Sequence, residues 1–299
     1  MNCNGKGEPA LARALARPRY EIVPLRGALE AAQALPEGAA VSVTCSPALG
    51  LDQSLEFAVS LRQARRDLHV IAHLAARRVR DRRHLKSVLA RMAAAGLRNA
   101  FVIAGDRTDH AGAYDSGFAL VRDLHELRAD LDTVGVPGYP EGHPFLNESQ
   151  LDRALSAKAP FADYVVTQLC FDAGVIRDWL QQRRAAGLGL AVYIGVPGAL
   201  ERRRLLGIAL RIGLGDSVRF VRRHGGLAGG LMGAARYVPD DLLYAMADDF
   251  ADPALGIAGV HINTFNQIEA TEAWRHSFCG RLEQAVSSSD TQARMGSTG

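Results

Sequence analysis

The sequence predicts a single-domain α/β protein of the closed (β/α)8 TIM-barrel class, on three observations. Eight short β-like runs alternate with stretches whose apolar residues recur at helical spacing. The chain has 299 residues, 48% hydrophobic and 22% charged, enough for one large core. No GxGxxG turn follows the first run, where an open doubly wound sheet would place its phosphate loop, so that sheet is the alternative.

The runs are Tyr20 to Leu25, Ala40 to Cys45, Leu68 to Leu74, Asn99 to Gly105, Thr133 to Tyr139, Asp163 to Leu169, Leu190 to Val196 and Ala258 to Phe265. Between them, Leu55, Val59 and Leu61, then Leu85, Val88, Leu89 and Met92, then Leu120, Leu124 and Leu127 mark helix faces, and Gly96 and Gly187 stop two helices before the next strand. At Gly135 to Pro144 an apolar strand opens into Tyr139, Glu141 and His143, because Pro140 and Pro144 cannot donate to a ladder. Residues 199–256 are expected to hold two or three helices, with the glycine-rich Gly225 to Gly233 as loop or close packing. The domain reading is an N-terminal extension over 1–18, the barrel over 19–286 and a disordered polar tail over 287–299.

Composition excludes several classes. No apolar run approaches the roughly 20 residues of a membrane span, and the charged N-terminus is no signal peptide, so a cytoplasmic protein is expected. Cys3, Cys45, Cys170 and Cys279 lie far apart without CxxC spacing, which reads as reduced thiols, not a zinc or redox site. The net charge of +3 comes from arginines scattered over several segments, among them Arg77, Arg78, Arg80, Arg82 and Arg83. Without interleaved aromatics these read as solvated helix faces, and no nucleic-acid partner is expected.

Strands of a parallel barrel are buried on both faces, so polar residues near their C-terminal ends need a partner, a ligand or a role. Here they are Glu21, Thr44, His73, Asp106, Tyr139, Glu141, His143, Gln168, His261 and Asn263. Any one could be a satisfied hydrogen bond, but their recurrence at one rim points to an enclosed small-molecule site. Glu21, flanked by Ile22 and Val23, is expected to have its ionised form disfavoured by desolvation, as suits a general acid near neutral pH. Asp106 follows Gly105, which lets the backbone pass close to a ligand, and could accept hydrogen bonds from a polar heterocycle. There is no GxSxG nucleophile elbow.

Taken in order, Glu21 in YEIVP, Thr44 in VSVT, His73 in AHL, Asp106 in AGD, then GYPEGHP, TQLCFD and TFN resemble the methylenetetrahydrofolate reductase family, from about Tyr20 to about Gly280. The most specific pieces are YPEGHP at Tyr139 to Pro144 and TQLCFD at Thr167 to Asp172. The resemblance implies a barrel that reduces 5,10-methylenetetrahydrofolate to 5-methyltetrahydrofolate with NADH or NADPH, normally through FAD, in the one-carbon metabolism that feeds methionine biosynthesis. By it Glu21 is the general acid that helps open the folate five-membered ring, and Asp106 sits beside the flavin pyrimidine edge and helps hold the folate. Thr44, His73, Ala104, Gly105, Tyr139, His143 and Lys158 are implied to line the cofactor, and Gln168, Asn263 and Gln267 the substrate.

Two departures predict FAD held weakly or not at all. Ala104 replaces the arginine of an RGD-like turn, and Leu151 stands seven residues before Lys158 where the family uses an aspartate. Gln267 replaces a frequent arginine, so Arg202 to Arg204 are expected to meet the folate glutamate. The partner expected is a tetrahydrofolate substrate, with no membrane, and self-association left open. Two other readings stand beside this one. In one, His73, His143 and His261 with Asp106 or Glu141 bind a metal in a barrel hydrolase, although the first strand lacks that class's HxH pair. In the other, the chain binds folate without catalysis.

Overall fold

The structure, a computed structural model, describes residues 7–46, 48–105, 112–211 and 236–296. Eight parallel strands close into a barrel: β1 (Arg19–Ile22), β2 (Ala40–Val43), β3 (His69–Ala75), β4 (Asn99–Ile103), β5 (Thr133–Gly138), β6 (Tyr164–Thr167), β7 (Ala191–Pro197) and β8 (Ile257–Asn263), with β8 returning to β1. All eight expected runs are barrel strands. The runs overshoot at some C-terminal ends, and β1 shows why. Pro24 has no N–H, and the Val23 N–H donates to the Asn266 side chain at 2.9 Å instead of a neighbouring strand.

Strand alternation divides the core in two. Outward residues such as Ile22, Val41, Leu74, Val102, Val165, Ile194 and Ile262 are buried under the helices. Inward ones, Ile71, Phe101, Tyr164 and Val166, form a smaller cluster inside the barrel. Gly135 makes room there, since a Cβ would stand 2.3 Å from the Tyr164 ring. Below them the Arg19 guanidinium lies over the rings of Tyr164 and Tyr193, at 4.0 and 4.1 Å from their centres.

The main helices are α1 (Gly7–Ala16), α2 (Gly50–Ala64), α3 (Arg82–Ala94), α4 (Gly117–Glu126), α5 (Glu148–Lys158), α6 (Ala173–Ala185), α7 (Arg202–Arg211) and α8 (Ile268–Gly296). Several starts are capped by side chains that satisfy first-turn N–H groups: Asp81 on α3, a reciprocal Asn147–Gln150 box on α5, and Asp172 on α6. The residues described between 199 and 256 include α7 and two short helices, Asp240–Ala245 and Ala247–Ala251, while Gly225 to Gly233 lies outside the described residues.

Two terminal features add to the barrel. The tail expected to lack structure from 287 is helical in its backbone to Gly296, since neither Gly nor Pro interrupts α8 between Arg281 and Met295. The N-terminal extension contributes to the core: Leu11 and Leu15 on α1 are fully buried. Arg275 on α8 ties it down by donating to Leu15 O at 3.1 Å. The same arginine pairs with Glu272 at 2.7 Å, and Glu272 accepts from the Tyr20 hydroxyl of β1 at 2.6 Å.

Candidate active site

At the C-terminal rim, three strands bring their inward side chains onto one carboxyl. Glu21 of β1 pairs in register with Asn263 of β8, so both point into the barrel, and Asn263 Nδ2 donates to Glu21 Oε1 at 2.5 Å. The other oxygen, Oε2, faces His261 Nε2 at 3.4 Å and His73 Nε2 of β3 at 3.8 Å. The loop after β8 fixes this arrangement from behind. Thr264 donates to Glu21 O through both its N–H and its hydroxyl, at 3.1 and 2.7 Å, and the Asn266 amide grips the Val23 backbone at both ends.

The charge state of Glu21 corrects the sequence expectation. Burial is the largest single influence and does push towards the neutral acid. The hydrogen bond with His261, the charges of His73 and His261 when protonated, and the Asn263 amide together outweigh it, and the pKa lies below its ordinary 4.5. Without ligand, Glu21 is a carboxylate at neutral pH. His73 behaves as burial alone would suggest, pushed down from 6.5 to about 4, and its ring packs on Phe101 with centroids 4.8 Å apart.

Beside the mouth a cavity of 570 Å³ opens between the ends of β4 and β5 and helices α4, α5 and α6, with Ala104, Tyr139, Glu141, Leu151, Lys158, Trp179 and Arg77 among its lining. Lys158 is buried and has no hydrogen bond or ion pair among the described residues, and burial alone pushes its pKa down from 10.5 to about 8. A buried ammonium that no carboxylate among the described residues pairs with is disfavoured by desolvation.

We expect Lys158→Met to stabilise the ligand-free protein by about 1 to 3 kcal/mol, because a charge that burial disfavours is replaced by an apolar chain of similar length. The sign also fixes a pH dependence. The lysine's folded pKa is depressed, so its destabilising effect is full below pH about 8 and fades as pH rises towards 10.5. Denaturation curves at pH 7 and 10 for both proteins check this; a variant less stable than wild type at pH 7 would mean that the ammonium is solvated.

The other expected residues lie on the loops and helix starts that follow the strands. Thr44 follows β2, donating its N–H to Ile22 O at 3.1 Å, and Gln168 follows β6 with its side chain accepting from Leu169 N at 2.8 Å. Gln267 opens α8 with its N–H on Thr264 O at 2.8 Å. Arg202, Arg203 and Arg204 are exposed, and Arg204 Nη2 donates to Phe265 O at 3.1 Å, beside the β8 loop. Asp106 lies outside the described residues; Gly105 before it has the left-handed φ of 92° expected of a glycine that lets the chain turn.

His143 does not join the other histidines. Its ring packs on Tyr139 and Phe145, with centroids 5.2 and 5.8 Å away, and no group of three or more His, Cys, Asp or Glu side chains among the described residues is placed to hold a metal ion. Sequence reasoning missed Arg77, which sits in the short turn after β3. Its guanidinium donates to Gly105 O at 3.0 Å and Asp115 O at 3.1 Å, bringing a cation to the turn where Ala104 left one lacking. The proximity of Arg77 to the strand end was its one available signal.

Comparison with known proteins gives the family. The profile of the family "Methylenetetrahydrofolate reductase" matches residues 25–200, more than half of the chain. The chain is 31% identical over 121 residues to "Methylenetetrahydrofolate reductase 1" of Schizosaccharomyces pombe, covering 38% of this chain and 20% of that protein. It is 30% identical over 112 residues to "Methylenetetrahydrofolate reductase 2" of Saccharomyces cerevisiae, covering 34% and 19%. These matches span about a fifth of the two yeast proteins.

Proposed function

Because the chain belongs to the methylenetetrahydrofolate reductase family, we propose that it reduces 5,10-methylenetetrahydrofolate to 5-methyltetrahydrofolate with electrons from NADH or NADPH. The observation that carries this reading is the single carboxyl, Glu21, enclosed by β3 and β8 side chains at the barrel mouth beside a cavity lined by a buried lysine. Opening the folate ring needs a proton on N10 as the bond from N10 to the bridging carbon breaks and the N5 lone pair forms an iminium. Hydride from the nicotinamide then reduces that carbon. Glu21 delivers the proton, Asn263 holds the carboxyl in place, and Gln168 contacts the folate. A cytoplasmic setting, where reduced folates and NAD(P)H are plentiful, accords with this reading.

FAD is tested by the donors that would have to hold it. Five carboxylates, Asp115, Glu141, Glu148, Asp152 and Asp178, line the cavity against Arg77, Lys158 and Arg183. Arg183 is taken by an ion pair with Asp152, and Arg77 is engaged with two carbonyls. This set fits a resident dinucleotide poorly, and no step is routed through flavin. It suits a co-substrate that leaves in every turnover, since micromolar instead of nanomolar binding is about 4 kcal/mol less favourable.

We expect protein purified without added flavin to be colourless. Two missing charge-assisted contacts, each worth about 1.5 to 3 kcal/mol, weaken flavin affinity by roughly two to four orders of magnitude. The decisive assay follows NADH and NADPH oxidation by that protein with 5,10-methylenetetrahydrofolate, with and without FAD. Turnover without FAD supports direct hydride transfer. A yellow preparation near one flavin per chain would overturn the cofactor reading, and no turnover under any condition would overturn the reductase reading in favour of folate binding alone.

A further inference from the structure

We propose that His261 holds the proton that Glu21 delivers, so that the acid of the site is an imidazole–carboxylate pair and His261 is its positioning residue. What the pair accomplishes rests on the reductase reading above; its existence does not. Three features of the geometry lead to it. Glu21 Oε1 is engaged by Asn263, and the titratable atom nearest to Oε2 among the described residues is His261 Nε2 at 3.4 Å, against 3.8 Å for His73 Nε2. A carboxylate that is largely withdrawn from solvent is stabilised by a compensating charge beside it. The Arg19 guanidinium, which is the nearest fixed cation on β1, is turned away onto the rings of Tyr164 and Tyr193.

His73 is the weaker candidate, being farther from Oε2 and driven towards the neutral form by burial. His261 is 3% exposed, and its Nδ1 has no hydrogen-bond partner among the described residues, so none of them competes with Glu21 for the imidazole. The groups facing it are Glu21 from β1, His73 from β3, Arg19 as its register partner on β1, and Gly195 as its partner on β7, which brings no side chain.

The step balances without further reactants. The His261 Nε2–H bond breaks as Glu21 Oε2–H forms. Oε2–H then breaks as N10–H forms and the N10–carbon bond opens, with the N5 lone pair becoming the iminium double bond. Neutral His261 and carboxylate Glu21 remain, and water restores the proton after product leaves.

The test uses the full-length protein. Imidazole resonances are titrated by NMR in the ligand-free wild type and in Glu21→Gln, with His261→Asn and His261→Gln identifying the His261 signal. Removing the carboxylate should change the pH response of the His261 resonances, while leaving that of exposed histidines such as His276 as it was. In steady state both His261 variants should lose about 10- to 100-fold in kcat above pH 7, with KM for the folate within about threefold. Part of that loss should return as pH falls, when Glu21 can take its proton from solvent. A His261 pH response indifferent to Glu21→Gln, or His261 variants with the wild-type pH profile, would overturn the pair. A wild type inactive as a reductase would instead overturn the function proposed above, and the titration would still decide the pair.

Discussion

Glu21→Gln is expected to lower turnover by about two to four orders of magnitude while leaving the fold and nicotinamide binding intact. The amide keeps the shape of the carboxyl, and its oxygen can still accept from Asn263 Nδ2, so the rim should not rearrange. What disappears is the only carboxyl at the inner face of β1 able to pass a proton to the folate nitrogen. The loss should therefore fall on kcat, with KM for NADH within a few-fold, and single-turnover traces should show chemistry, not binding, as the slowed step. Activity within a few-fold of wild type would remove Glu21 from the mechanism.

The largest effect on stability is expected from Glu272→Ala. Glu272 and Arg275 are each 7% exposed, and together they join β1, through the Tyr20 hydroxyl, to α1, through Leu15 O. Removing the carboxylate leaves a guanidinium buried without its counter-charge and a tyrosine hydroxyl without its acceptor, a cost of about 3 to 5 kcal/mol. Chemical denaturation should show that loss as a shifted midpoint at nearly unchanged slope, since the surface exposed on unfolding is the same. A change below about 1 kcal/mol would mean that water enters and solvates Arg275. Replacing both residues by apolar side chains of similar volume should recover much of the loss, because the pair is costly to break more than it is valuable to have.

The barrel was legible in the sequence because a parallel strand buried on both faces must be nearly all apolar, as Ala100, Phe101 and Val102 or Val165 and Val166 are. The same rule exposed Glu21, His73 and Asn263, which break that pattern on the strands where they stand. The charge on Glu21 was not legible. The local window holds only Ile22 and Val23, which argue for a neutral acid, whereas the groups that favour the carboxylate arrive from β3 and from β8, the latter 240 residues away. Arg77 was hidden for a related reason. It sits in a run of arginines that reads as a solvated face, and only the turn after β3 sends it back over the end of β4.

The Arg19 guanidinium stacked on Tyr164 and Tyr193, with Ile71 and Phe101 above it, fills the barrel below the carboxyl. Its consequence is one of timing. Among the described residues this packing closes the lower end, so solvent reaches Glu21 from the rim, the side by which folate and nicotinamide would enter on the function proposed above. While both ligands cover that opening, the site works with the protons already inside. Proton uptake and product departure thus share one gate and must occur in the same opening of the cycle.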